Sequence, residues 1–175
     1  ATETLTQHPE REAAAYRQHA EHLARLSERE RARHYSDGRQ QTFRRMIATR
    51  QDRDAALAWA SSHDPALFVR LAVAQASLLR DLRFTEDAQA LIRTTWELTT
   101  DSDTRAKLKL EEALSLAHGQ RAILEEAIAL AQLPATRGPI LFEAACLLST
   151  DQQSEAIQFF ERCLADCIDG GNLYL

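Results

Sequence analysis

Glycine and proline are scarce in this chain, 5 and 4 residues of 175, which argues against a sheet protein, whose many turns need both. Alanine, leucine, arginine, glutamate and glutamine dominate instead, and these favour helix. Helix is therefore expected throughout, and strands nowhere. Lysine supplies only 2 of the 21 basic residues, a bias that fits a GC-rich, bacterial coding sequence. Long apolar runs are missing too: none approaches the ~18 residues needed to cross a bilayer, and no signal-peptide core is present. The chain opens at Ala1 rather than Met, as a processed form or one domain of something longer would. The compartment stays open, with the cytoplasm as the default and an exported form as the alternative.

Cysteine is limited to Cys146, Cys163 and Cys167, an odd number without framework spacing. Cys163 and Cys167 share a helix face, but no His or third Cys accompanies them locally, and their spacing does not suit a disulfide. Cys146 and Cys163 are expected in the core as small apolar side chains. Catalytic signatures are lacking as well: no nucleophile elbow, no phosphate-cradling glycine loop and no Cys/His constellation is found. Glu111 with Glu112 and Glu125 with Glu126 are adjacent pairs that point two ways on a helix, so neither forms a shared acid/base site. His19 and His22, flanked by His8 and His34, lie on a charged helix and are expected to be solvated. His63 and His118 fall at helix ends, where a donor side chain is favoured. No enzyme, cofactor or metal is expected on these grounds.

Charge is unevenly spread. Residues 1–50 hold 10 Lys+Arg against 7 Asp+Glu, whereas residues 51–175 hold 11 against 19. An acidic body argues against nucleic acid as the main partner, because phosphate contacts need a concentrated cationic surface. The arm's basic residues are interleaved with Glu10, Glu12, Glu21, Glu28 and Glu30, the pattern of a solvated helix face. The shift at residue 50 divides the chain into an N-terminal helical arm, 1–50, and a helical-repeat body, 51–175.

Pro9 is placed to start a first helix with a narrow stripe of Ala15, Tyr16, His19, Leu23 and Leu26, and Ser36, Asp37 and Gly38 are placed to stop it. Phe43, Met46 and Ile47 mark a second helix. A third is expected to be capped by Asp52, to bury Ala55, Trp59 and Ser62, and to stop at Pro65, which starts the next. Leu71, Ala72, Ala76 and Leu79 then share one face and pair with Ala88, Ile92 and Thr95. A helix capped by Asp101 or Asp103 runs through Leu108, Leu110, Ala113 and Leu114 to Gly119. The return segment ends before Pro134, residues 135–139 link, and Gly170 and Gly171 end the last helix ahead of the apolar tail 172–175.

Residues 138–166 read as two helices meeting at a polar turn, with Ala144 and Leu147 inside the first and Ala156, Phe160 and Cys163 inside the second. Ala122 and Ala88 precede Ala156 at intervals of 34 residues; sliding the middle unit by one residue instead uses Ile123, Ala127 and Leu130. Small residues facing each other across a hairpin, with an aromatic one turn on, resemble the tetratricopeptide repeat family, whose repeat length is the same. The resemblance covers about residues 52–168. Ala72, Ala106 and Ile140 stand where the family has its opening Trp, so an α-solenoid of helical hairpins is an equally apt name.

The resemblance implies an all-α, right-handed superhelix of antiparallel hairpins whose concave groove holds a protein or peptide ligand. Arg70, Val73, Ser77, Arg80, Lys107 and Glu111 would face that groove, and Leu141 would add apolar contact. Val73 and Ser77 replace the Lys and Asn of the family's carboxylate clamp, which speaks against chaperone-tail recognition. An adaptor is the reading these residues favour. A module that oligomerises through the N-terminal helix, within a larger regulator or a secretion chaperone, is the alternative. A helical enzyme or small-molecule binder is a third reading, from another class.

Overall fold

A computed structural model of the chain describes residues 9–32, 39–116, 119–148 and 152–169, and among these every regular element is helical. In chain order they are α1 (Pro9–Ala32), α2 (Arg39–Ala48), α3 (Arg50–His63), α4 (Pro65–Asp81), α5 (Thr85–Leu98), α6 (Ser102–Leu114), α7 (Gln120–Leu130), α8 (Pro134–Cys146) and α9 (Gln153–Asp169). The stops expected at Ser36, Asp37, Gly38, Gly170 and Gly171, the cap expected at His118, His8, His34 and the tail 172–175 lie outside the described residues. The chain divides into two compact units, Ala1–Leu78 and Leu79–Leu175. That division falls inside α4, whereas the charge shift lies at residue 50.

In the first unit α1 packs on α3, and α2 joins them. The buried face of α1 is Ala20, Leu23, Ala24, Ser27 and Glu30, whereas Ala15, Tyr16 and His19 are exposed. Small side chains let two helices approach closely, and Arg53 of α3 fixes which face of α1 turns inward by bonding to Ser27 Oγ at 2.5 Å and Glu30 Oε2 at 2.6 Å. Helix α3 follows Thr49 directly, so Asp52 lies in its first turn rather than at its cap. It buries Arg53, Ala56, Leu57 and Ala60, a face rotated from the expected one: Ala55 and Ser62 are exposed. Trp59 stacks on His63 with ring centroids 5.1 Å apart. His63 Nδ1 lies 2.8 Å from the Trp59 carbonyl, a helix-end contact. Pro65 opens α4 as expected, with Asp64 Oδ1 accepting from the Leu67 amide at 3.1 Å.

In the second unit α6 packs against α5, α7 and α8, and α8 also packs against α7 and α9. The buried face of α5 is the expected Ala88, Ile92 and Thr95. Asp101 caps α6 by accepting from the Thr104 amide at 2.7 Å, and hydrogen bonding with the Thr104 side chain, and after it with that amide, holds its carboxyl below the usual range. Asp103 does something different, its Oδ1 accepting from the amides of Gln132 and Leu133 at 3.1 and 2.9 Å and so fixing the chain just before α8. Helix α6 ends at Leu114, and Gly119, at φ 77°, caps the start of α7 rather than the end of α6.

The segment 135–139, expected to link, belongs to α8. Pro134 is at its start, where a missing N–H costs nothing, while Pro139 sits inside it and forfeits one helix bond. Gly138 lies where α9 passes: a Cβ there would stand 3.2 Å from Cys167 Sγ. Leu141 of α8 is fully buried with Cys163 and Cys167. A second cluster joins Ala106, Leu110, Ala113, Leu124, Ala127, Ala131, Ile140 and Ala144.

Candidate interaction surface

Of the seven positions expected to face or border a groove, Arg70, Val73 and Ser77 belong to the first unit and Arg80, Lys107, Glu111 and Leu141 to the second. Val73, Glu111 and Leu141 are buried, Ser77, Arg80 and Lys107 half-buried, and Arg70 exposed. Arg80 and Glu111 are brought together by an ion pair of 3.0 Å between Arg80 Nη1 and Glu111 Oε2; Arg80 Nη2 also meets Asp81 Oδ1 at 3.0 Å. Arg70 is bidentate to Glu28, at 2.7 and 2.9 Å, and this hydrogen bonding pushes its pKa up.

A different surface stands out on α9. Its inner face presents Cys163, Asp166 and Cys167. Arg137 of α8 grips Asp166 with two bonds of 2.7 and 2.6 Å, and the Asp166 contact raises the arginine's pKa. On the adjoining side Ile157, Phe160, Leu164 and Ile168 are 55, 42, 59 and 59% exposed. Steps of three and four residues put them on one stripe. Phe160 reaches Phe142 of α8 edge-on at 5.9 Å, so the stripe begins where α8 ends its cover.

The stripe is legible as a periodicity, but Phe160, expected inside the hairpin, lies outside it. The reason is that α9 carries apolar residues on two faces, and the small, buried Cys163 and Cys167 admit the closer approach. Leu147 and Cys146 are likewise exposed rather than core, because α8 ends at Cys146. The 34-residue interval does not mark one structural position: Ala88 is fully buried, Ala122 exposed and Ala156 half-buried. Ala122 lies in the first turn of α7, whose buried residues are Leu124 and Ala127.

No cluster of three or more His, Cys, Asp or Glu suited to a metal occurs among the described residues, and no helix among them is long and apolar enough to cross a membrane. Comparison of the chain with protein-family models, curated proteins and solved structures finds no match.

Proposed function

We propose that this chain is a protein–protein interaction scaffold, an array of helical hairpins that holds a protein or peptide ligand. The observation that supports it best is the exposed stripe Ile157, Phe160, Leu164 and Ile168 on α9. Helical arrays that end in solvent finish on a polar face, and contiguous exposed apolar surface marks an interaction site. Hairpins α6–α7 and α8–α9, in contact through α6 and α8, are the kind of pair from which a right-handed superhelix is built. That finer architecture, with an inner groove as a second ligand surface, is part of the same proposal. An enzymatic role is not.

Selection of binders from a displayed random-peptide library against the full chain tests this reading. Enriched peptides that lose binding to a Leu164→Asp variant, yet keep it with Arg70→Glu/Lys107→Glu, support a ligand on α9. The reverse pattern moves the ligand to the inner positions and keeps the scaffold. Failure to enrich any sequence above an unrelated helical protein would overturn it.

A further inference from the structure

Resting on the scaffold reading, we propose that the outer face of α9 docks an amphipathic helix with a cationic rim. The apolar part of the match is the stripe itself. Ile157 to Ile168 covers three turns, so a helical partner can lay its own apolar face along it.

The charge part comes from what borders the stripe. Glu161 is exposed beside it, next in sequence to Phe160 and three residues before Leu164. Arg162, the one cation of α9, lies on the other side of the helix together with Asp169, seven residues on, with its guanidinium carbon 5.9 Å from the centre of the Phe159 ring. The wider field agrees: residues 79–175 hold 9 Lys+Arg against 16 Asp+Glu, whereas residues 1–78 hold 12 against 10. A ligand approaching α9 therefore meets apolar anchors set in a negative field, which speeds and selects a positive partner.

The same charges count against the other occupants. A second copy would bring its own negative field to the seam. Antiparallel pairing of Ile157 with Ile168 and of Phe160 with Leu164 would also set Glu161 within a turn of its counterpart, where like charges repel. The tail residues Leu173, Tyr174 and Leu175 carry no cation to meet Glu161.

Two synthetic peptides of about 18 residues, roughly the length of α9, provide the test. Both carry Leu at heptad positions a and d; one has Lys on both flanks and its twin has Glu. Fluorescence anisotropy with the full chain is expected to show the Lys peptide binding at least tenfold more tightly at low salt. The gap should shrink as salt rises. Leu164→Asp should abolish binding and Glu161→Lys should remove most of the preference, with circular dichroism confirming the fold; Ile157→Ser replaces Leu164→Asp if that chain fails to fold.

Equal binding of the two peptides, lost in Leu164→Asp, overturns the cationic-rim proposal while the scaffold reading stands. Binding of neither peptide overturns the proposal, and if the library selection also fails, the scaffold reading falls with it. A dimer that Leu164→Asp converts to monomer shows that a second copy covers the face. Peptide binding that strengthens tenfold in Leu173→Ser/Leu175→Ser shows that the tail does. Either result overturns the proposal.

Discussion

Where α1 crosses α3 in the first unit, the group at the seam is Arg53, 1% exposed, bonded to Ser27, Glu30 and Thr49. Where α8 crosses α9 in the second unit, the seam holds Leu141, Cys163 and Cys167 around Gly138, with the Arg137–Asp166 pair at its edge. A buried ion pair specifies which faces meet, since any other register strands a charge. It adds little net stability, because two charges must first leave water. Glu30 Oε1 has no hydrogen-bond partner among the described residues, so the cost of desolvation is only partly offset. An apolar seam behaves the other way: it gains from burial but tolerates sliding until a close approach such as Gly138 fixes it.

The largest expected effect follows from removing one half of the polar seam. Arg53→Ala leaves Glu30 buried without its cation and should cost about 3–5 kcal/mol. Arg53→Met/Glu30→Met, which removes both charges and keeps volume, should recover most of that loss. Trp59 and Trp96 are the only tryptophans and lie one in each unit, so denaturant titrations of Trp→Phe versions follow the units separately. If the double variant is no more stable than the single one, the first unit is not held as described. In the second unit Leu141→Ala should cost about 2–5 kcal/mol through the cavity it leaves, with no charge partner able to rescue it.

The contrast also explains what can be read from the sequence. The α5 face is legible because Ala88, Ile92 and Thr95 are small or branched residues on a plain helical period, and burial follows the period there. The first unit misleads because Arg53, Glu30 and Ser27 are types normally left in water, so a search for apolar stripes selects Tyr16 and His19 instead. The site is harder still. Groove positions follow from analogy with a repeat, and the repeat is anchored on Ala122, an alanine in a first turn that faces solvent. On α9 the apolar residues outnumber what one face can bury, and that surplus is the available signal.

A further difference between the seams is pH sensitivity at the alkaline end. Burial, and after it the neighbouring Cys167, pushes the Cys163 thiol up to about 12. In the unfolded chain it titrates near ~8.5. The unfolded state therefore loses its proton first, and stability present below ~8.5 drains away as pH rises toward 12, at about 1.4 kcal/mol per pH unit. The urea midpoint reported by Trp96 should fall more steeply above pH 9 in the wild type than in Cys163→Ala. Equal slopes would mean that Cys163 is not sealed under α8.

The smallest effect expected is a gain, and it sharpens the comparison because it acts on backbone rather than on either seam. Arg83, exposed and at φ 68°, is a non-glycine residue in the left-handed region. It sits there because α4 ends with the Arg83 amide bonded to the Arg80 carbonyl and the Phe84 amide bonded to the Leu79 carbonyl, both at 2.9 Å, a closure usually given to glycine. Removing the Cβ relieves about 1 kcal/mol of strain, while the freer unfolded chain takes back roughly half of it. Arg83→Gly should thus stabilise the second unit by about 0.5 kcal/mol. Gly119→Ala, at φ 77° with nothing within 4 Å of the new Cβ, should cost about 1 kcal/mol, because there the strain is introduced without any packing change. Opposite signs at these two positions, read from the Trp96 transition, would assign both effects to φ alone; a loss at Arg83 would instead mean that its side chain holds the turn.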